Sequence, residues 1–343
     1  MNLLVTGGTG FLGSALVPLL AAGGHRLRLV QRSAAPDAEA LGAEVVRAPL
    51  SDAGATAAAL DGVDAVFHLA GQVSFDPDDP VAMYDLHVQA TRRLLEACAA
   101  RGVKRVVLAS SSGTIAVSRA ERVATEEDDY PISVVGSWPY YLSKIYQEKA
   151  ALRIHRDTGL PVVVLNPSLL LGPGDARLSS TDVVFKFMER RIPAMPTGGL
   201  SFVDVRDAAA AFAAALERGR PGERYLLGGA NMTFRELFSR LERLTGIRAP
   251  RVTLPTAVNV AGSRLLEKLH AWRGSETPLD PRSAEMGERW WYCDSSKAAR
   301  ELGFAARDPQ ETLFETVRWL DEHVRTPGRG PRTVAELGRE RRG

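Results

Sequence analysis

The chain has 343 residues, of which 45% are hydrophobic and 24% charged, a composition typical of an ordinary globular protein. This length suggests one large domain with a smaller lobe. The 43 basic residues nearly balance the 41 acidic ones, and the formal net charge is +2. That balance excludes a general electrostatic field that would recruit nucleic acid or anionic lipid.

Neither a metal site nor a disulfide framework is expected. Cys98 and Cys293 lie far apart, with no CxxC spacing and no histidine cluster nearby, which fits a reducing cytoplasm. No segment approaches the roughly 18 apolar residues of a spanning helix, and no charged leader with a long apolar core opens the chain. We expect a cytoplasmic monomer or homodimer that binds a small molecule, without membrane or nucleic acid.

Strands and helices alternate along the first half of the chain. Short β-branched runs predict strands at 3–6, 27–31, 44–47, 65–69, 105–109 and 162–165. Helical periodicity predicts helices between them at 12–20, 81–100 and 140–157. Strands that are apolar on both faces indicate a parallel sheet covered on both sides, so the predicted fold is a doubly wound α/β structure.

The pattern changes after residue 171. Connections rich in Pro and Gly separate helices predicted at 204–217, 234–245 and 258–272. We interpret 172–324 mainly as a smaller, partly helical substrate lobe, with segments that return to the sheet. Residues 325–343 hold six Arg against two Glu and are predicted to form a basic flexible tail.

Glycines cluster where the first predicted strand meets the first predicted helix. Gly7 permits a tight turn, Gly10 lets the backbone approach a phosphate, and Gly13 allows close packing of helix and strand. The alternative is a purely structural turn. We predict that 1–171 is mainly an NAD(P)-binding domain of the Rossmann type. Its predicted contacts from this turn are Gly7, Thr9, Gly10, Phe11, Leu12 and Gly13.

Arg32 follows the second predicted strand, where an acidic residue would bind the adenosine ribose of NAD. A guanidinium at this position favours a 2′-phosphate, so NADP(H) is the preferred cofactor and NAD(H) the second possibility. The alternative is that Arg32 points to solvent.

A tyrosine and a lysine follow Pro139 in the predicted helix at 140–157. Tyr140 and Lys144 are four residues apart and share one helical face, a relation that Tyr141 lacks. A phenol with a pKa near 10 becomes a useful proton shuttle when an ammonium and an oxidised nicotinamide favour its anion. Tyr140 is therefore the candidate acid and base, and Lys144 also the candidate ligand of the nicotinamide ribose.

Serines 110–112 end the strand predicted at 105–109, at the edge where such sheets bind ligands. One of them is expected to bind the substrate oxygen beside Tyr140. The alternative is that they simply form a turn.

Together these motifs resemble the extended short-chain dehydrogenase/reductase superfamily, also called the NAD-dependent epimerase/dehydratase superfamily. Within it, the chain looks like the dihydroflavonol-reductase-like branch, which includes hopanoid-associated sugar epimerases and hydroxysteroid dehydrogenases. The similarity runs from residue 1 to about 323. Besides the glycine turn and Tyr140/Lys144, it includes the blocks at 66–70, 165–168, 172–175, 202–207 and 225–229.

The resemblance implies further site residues. It places the catalytic serine at Ser111, with Ser112 as the neighbouring possibility, and Pro167 and Ser168 beside the nicotinamide. Along the rest of the cofactor it implies contacts from Leu50, Leu69, Ala70, Gly71 and Arg32.

Two positions depart from the family pattern. Pro49 stands where relatives often have an Asp that meets the adenine amine, so recognition of adenine is expected to be looser. His87 replaces an Asn that often organises water and backbone at the site, and a structural role is our default interpretation.

Three functions fit these residues. The first is an NADPH-dependent reductase of a carbonyl substrate, or the reverse alcohol oxidation. The second is a nucleotide-sugar epimerase with tightly bound NAD, and the third a non-catalytic dinucleotide sensor. A sugar 4,6-dehydratase would need an acidic pair after the catalytic hydroxyl, where this chain has Ser112 and Gly113. The segments expected to define the substrate are 72–79, 132–138, 169–195 and 290–291, which show no evident cationic clamp for a diphosphate.

Overall fold

The computed structural model describes residues 1–73, 80–254 and 281–325, and all structural statements below concern these residues. The helix predicted at 258–272 and the tail beyond residue 325 lie outside them. No described helix is both long and apolar enough to cross a membrane.

The elements alternate as expected in the first half and become shorter in the second. The strands are β1 (Asn2–Thr6), β2 (Arg26–Gln31), β3 (Glu44–Arg47), β4 (Ala65–His68), β5 (Arg105–Ala109), β6 (Val123–Ala124), β7 (Val162–Pro167), β8 (Leu169–Leu171), β9 (Gly199–Asp204), β10 (Arg224–Leu227), β11 (Ala230–Thr233) and β12 (Trp290–Cys293). The α-helices are α1 (Phe11–Ala22), α2 (Pro36–Ala40), α3 (Ala53–Ala58), α4 (Pro80–Tyr84), α5 (Ala90–Ala100), α6 (Ile132–Val135), α7 (Pro139–Thr158), α8 (Asp182–Met188), α9 (Val205–Arg218), α10 (Phe234–Thr245), α11 (Pro281–Gly287), α12 (Ser296–Leu302) and α13 (Pro309–His323).

The main sheet has seven parallel strands in the order β10-β7-β5-β4-β1-β2-β3. In its centre, Leu4 of β1 pairs in register with Arg28 of β2 and Val66 of β4. The six predicted strands all lie in this sheet, which confirms the doubly wound α/β prediction. The seventh, β10, comes from the second half of the chain and forms the edge beside β7.

Alternate residues of the strands point to opposite faces, and each face has its own apolar core. Leu3, Phe67 and Leu165 pack on one side with residues of α1 and α9. Leu4 and Val66 pack on the other side, where α5 and α7 cover the sheet. Because both faces are covered, the strands need apolar residues throughout.

A smaller sheet has the order β11-β9-β12-β6, with β8 also paired to β9. Helices α8, α10 and α13 surround its core, in which the rings of Phe187 and Phe238 stack with centroids 5.4 Å apart. Helix α10 begins at a capping box, in which Thr233 and Glu236 satisfy each other's backbone N–H groups.

The helix predicted at 81–100 is not continuous. A π-helical turn, Asp85–Gln89, separates α4 from α5. The extra residue in such a turn changes the direction of the side chains that follow. Here the turn carries the buried His87, whose contacts are described below.

Candidate active site

The turn between β1 and α1 has no room for side chains at two of its glycines. Gly7 has a φ of +74°, and a Cβ there would lie 2.7 Å from the backbone nitrogen of Ala70. A Cβ on Gly13 would lie 2.3 Å from the carbonyl oxygen of Gly7. No side chain caps α1 at Gly10, so its first backbone N–H groups remain available to an anion. The turn has the form of a phosphate cradle.

The other residues predicted to bind the cofactor lie along the carboxyl edge of the main sheet. Thr9 is partly exposed, and Phe11 and Leu12 are buried in the first turn of α1. The residues that directly follow β4 are Leu69, Ala70 and Gly71. Arg32 is exposed after β2, and Leu50, after β3, packs half-buried against the second core. Since β2 is three strands from β5, these last two lie roughly 14 Å or more from the serines, a distance that an extended dinucleotide spans.

Pro167 and Ser168 lie at the end of β7. The backbone N–H of Ser168 donates to the carbonyl of Leu227 at 2.9 Å, which ties this point to β10. Its hydroxyl is buried and has no hydrogen-bond partner among the described residues. A buried hydroxyl without a partner is costly, and a ligand that accepts or donates here would relieve the cost.

Tyr140 and Ser111 come together from different elements. Tyr140 lies in the first turn of α7, and the hydroxyl of Ser111, which follows β5, is close enough to its phenol to lower the pKa of that group. Ser111 Oγ also accepts from the backbone N–H of Gly113 at 3.2 Å. The neighbouring Ser112 is buried in a 3₁₀ turn, Ser112–Thr114. Of the two serines considered, the structure therefore brings Ser111 to Tyr140.

Lys144 lies one turn further along α7 and is only 4% exposed. Its Nζ donates to the carbonyl of Ala109 and to Oε1 of Gln147, both at 2.8 Å. Burial lowers the pKa of Lys144 to about 8, and the charge of Glu148 opposes this fall. A Cβ built on Gly71 would lie 3.6 Å from Nζ, so the ammonium borders the strand end predicted to follow the cofactor.

The pKa of the Tyr140 phenol does not shift in the expected direction, which was toward a stabilised phenolate. Burial raises the pKa of Tyr140 to about 12, although the nearby hydroxyl of Ser111 lowers it. The Nζ of Lys144 donates to Ala109 and Gln147. Tyr140 is thus protonated at neutral pH.

His87, named in the sequence as a replacement of the family's Asn, lies beside the site. Its Nε2 accepts from the backbone N–H of Gln72 at 3.1 Å, so Nδ1 carries the proton and donates to Ser143 Oγ at 2.8 Å. Ser143 in turn donates to the carbonyl of Tyr140 at 2.7 Å. Burial, with the charge of Lys144, lowers the pKa of His87 to about 2. The neutral ring links the loop after β4 to the start of α7.

A buried carboxylate under the site was missed by sequence reasoning. Oε1 of Glu148 accepts from Ser110 Oγ, from Thr114 Oγ1 at 2.6 Å and from Asn166 Nδ2 at 2.5 Å. Arg224 Nη1 lies 3.9 Å from the other oxygen. Glu148 lies four residues beyond Lys144 on α7. This spacing was the only feature of the sequence that could have indicated its role. It holds together the ends of β5 and β7 and the turn after Ser111.

Aromatic side chains flank Tyr140. The ring of Tyr141 meets that of Tyr140 edge to face at 5.0 Å and that of Trp291 at 5.1 Å. Trp291 also stacks on the fully buried Trp138, with centroids 5.7 Å apart. A Cβ on Gly113 would lie 2.2 Å from the Tyr141 ring. One of the segments predicted to define the substrate, 72–79, is described only at residues 72 and 73, and the rest of it lies outside the described residues.

Comparisons with known proteins identify the family of this chain. Residues 3–228 match the NAD dependent epimerase/dehydratase family. A Synechocystis sp. protein named "Putative dihydroflavonol 4-reductase" is 32% identical over 327 residues, 93% of this chain and 94% of its own length. The 2-alkyl-3-oxoalkanoate reductase of Stenotrophomonas maltophilia is 30% identical over 342 residues, 93% and 98% of the two chains. The structure of UDP-glucose 4-epimerase from Thermotoga maritima, with UDP-glucose, has a TM-score of 0.76 at 25% identity. The match covers 95% of this chain and 100% of the epimerase chain.

The seven-stranded parallel sheet and its glycine turn define a dinucleotide-binding α/β protein of the Rossmann type. The chain belongs to the NAD dependent epimerase/dehydratase family, within the extended short-chain dehydrogenases/reductases, which confirms the resemblance inferred from its motifs. Reductases and an epimerase are both among its relatives. The choice between these reactions rests on the site.

Proposed function

We propose that the protein is an NADP(H)-preferring oxidoreductase that reduces a ketone or aldehyde to an alcohol, or catalyses the reverse reaction. The observation that carries this proposal is the proximity of the Tyr140 phenol and the Ser111 hydroxyl at the carboxyl edge of the sheet, with Lys144 one helical turn away. This arrangement offers two hydroxyls to a single substrate oxygen.

The residues present fit a nicotinamide dinucleotide. The cradle at Gly7 and Gly13 would be filled by any Cβ, and the unpartnered hydroxyl of Ser168 offers a polar contact at the opposite end. When bound, the cofactor supplies or accepts the hydride. Lys144 would hold the nicotinamide ribose, and Pro167 and Ser168 would border the ring.

In the reduction, Ser111 and Tyr140 would bind the carbonyl oxygen, and Tyr140 would donate its proton to that oxygen as negative charge develops. The raised pKa of Tyr140, about 12, keeps this proton in place at neutral pH. The reverse oxidation needs the phenolate, so we expect it to require higher pH. At neutral pH the phenol is therefore in the protonated form that the reduction needs.

The preference for NADP(H) rests on Arg32. This exposed guanidinium follows β2, where the adenosine ribose lies in Rossmann folds, and it would pair with a 2′-phosphate. NAD(H) is the alternative cofactor in this proposal.

The surroundings of Tyr140 favour a reductase over the sugar-modifying alternatives. A dehydratase's acidic pair would occupy the positions of Ser112 and Gly113, neither of which is acidic. The ring of Tyr141 also fills the space beside Gly113, so a larger side chain would not fit there. Tyr141 and Trp291 present half-buried aromatic surface next to the site, which suits a substrate with little charge. The epimerase alternative keeps support from the Thermotoga maritima neighbour, which uses UDP-glucose.

The test is consumption of NADPH and NADH by the purified protein with a panel of ketones and aldehydes. Tyr140→Phe should lower kcat about 10²–10⁴-fold, the usual contribution of a general acid. Tyr141→Phe removes the same group from the adjacent ring and serves as the matched control, with a much smaller loss expected.

Other results would refute the proposal. Tightly retained NAD, together with interconversion of UDP-hexoses, would establish the epimerase. Dinucleotide binding without turnover of any carbonyl or sugar substrate would point to the sensor instead.

A further inference from the structure

A continuous chain of buried polar side chains connects the catalytic lysine to the glycine turn. Lys144 Nζ donates to Gln147 Oε1, and Gln147 Nε2 donates to Thr91 Oγ1, both at 2.8 Å. Thr91 Oγ1 lies 2.7 Å from Nε2 of His68, whose Nδ1 lies 2.7 Å from Thr6 Oγ1. Thr6 is the last residue of β1. This series of hydrogen bonds therefore links Lys144 on α7 to the ends of β4 and β1.

Gln147 occupies the centre of this chain and has only one possible orientation. An ammonium group has no acceptor, so the amide oxygen of Gln147 must face Lys144 and the NH₂ group must face Thr91. Gln147 is fully buried in α7, three residues beyond Lys144. Its side chain is out of reach of a substrate, and its influence on the site passes through Lys144.

We propose that Gln147 is a positioning residue whose amide oxygen holds the Lys144 ammonium beside Gly71 and stabilises its charge, while Thr91 fixes the amide. The inference rests on the proposed function, in which Lys144 holds the nicotinamide ribose.

The charge of Lys144 depends strongly on its few partners. Burial lowers its pKa to about 8, and Glu148 supplies the opposing negative charge. The other titratable groups around it are Tyr140, which burial keeps protonated, and the two histidines His68 and His87, which burial keeps neutral. None of these three adds negative charge.

The remaining support for the ammonium comes from two neutral oxygens. One is the backbone carbonyl of Ala109, at the end of β5, and the other is Oε1 of Gln147. A hydrogen bond to the charged form raises the pKa of an amine. Of these two oxygens, only that of Gln147 belongs to a side chain and can be replaced. A substitution there can either lower or raise the pKa of Lys144.

The test measures the protonation of Lys144 directly, without any need for turnover. Wild type, Gln147→Leu and Gln147→Glu are labelled with acetic anhydride from about pH 6 to about pH 11, and acetylation of each lysine is followed by mass spectrometry. The exposed Lys104 in the same samples is the internal reference. Loss of the acceptor should lower the Lys144 midpoint by about one pH unit, and a carboxylate should raise it by at least as much.

The outcomes separate the inference from the proposed function. A Lys144 midpoint that is the same in wild type and Gln147→Leu would overturn the inference, while carbonyl reduction by the wild type would still stand. Shifted midpoints in a protein that reduces no carbonyl would refute the proposed function alone. A purely structural Gln147 would change the melting temperatures of the variants and leave the midpoint unmoved.

A second route covers failure of the leucine variant to fold. Gln147→Glu then carries the test, together with Thr91→Val, which removes the partner of the amide NH₂ and keeps the shape of the side chain. Thr91→Val should lower the Lys144 midpoint by less than one unit. An unchanged midpoint in both variants would overturn the proposal.

Discussion

Replacement of the buried carboxylate of Glu148 should destabilise the whole site, and the structure indicates by how much. In Glu148→Leu, the donors of Ser110, Thr114 and Asn166 lose their common acceptor. One buried donor left unpaired costs about 1–3 kcal/mol. Ser110 is left without an acceptor, whereas Thr114 Oγ1 and Asn166 Nδ2 keep the carbonyl oxygen of Ser111 at 2.8 and 3.2 Å. Because the charge opposite Arg224 is lost as well, we expect the free energy of unfolding to fall by about 2–3 kcal/mol.

Glu148→Gln is the informative comparison because it keeps the shape. The amide oxygen can still face the three donors, and only the charge assistance and the charge opposite Arg224 are lost. We expect a decrease of about 1–2 kcal/mol, since hydrogen bonds to charged groups exceed neutral ones by roughly that amount.

Urea denaturation, with a common m-value, measures both variants. Glu96→Gln is the matched control, because Glu96 forms an exposed ion pair with Arg92 on α5, and such pairs contribute little. The reasoning is refuted if Glu148→Leu and Glu96→Gln unfold at the same urea concentration.

Three further predictions follow from other parts of the structure. Gly7→Ala should abolish dinucleotide binding and destabilise the fold. The control Gly42→Ala, at a φ of +81° in open space, should lower the free energy of unfolding by only about 1–2 kcal/mol. Equal effects of the two variants in denaturation and binding assays would contradict this prediction. Burial lowers the pKa of His68 to about 3 and of His87 to about 2, so unfolding below about pH 6 takes up protons. The free energy of unfolding should therefore fall with decreasing pH by up to about 1.4 kcal/mol per unit for each histidine, and His87→Asn should halve that part of the slope. Arg32→Ala should weaken NADPH binding more than NADH binding in fluorescence titrations, and equal losses would remove the argument for NADP(H).

Local sequence patterns were sufficient for the elements that depend on local causes. The prediction for 234–245 has the same bounds as α10, because its apolar spacing lies within the segment and its capping box begins directly before it, at Thr233. Six of the seven strands of the main sheet were predicted, because burial on both faces leaves continuous apolar runs. The helix start and the strand end predicted one of serines 110–112 beside Tyr140, and the family resemblance implied that it is Ser111.

Features that depend on distant contacts were not predicted. Helical periodicity at 81–100 gave no sign of the π turn, whose His87 is held by Gln72 and Ser143 from other segments. The role of Glu148 depends on donors from three separate parts of the chain. The raised pKa of Tyr140 could not be predicted either, because it depends on how deeply the folded chain buries the phenol.

The return of the second half of the chain to the main sheet has a consequence for how the protein can be divided. Helix α9 covers α1 on one face, and β10 completes the edge beside β7, although both follow residue 171. A fragment ending there would expose the apolar side of α1 and leave β7 as an open edge, a surface prone to aggregation. The first half of the chain therefore depends on the later half to cover these surfaces, and the two must be expressed and engineered as one unit.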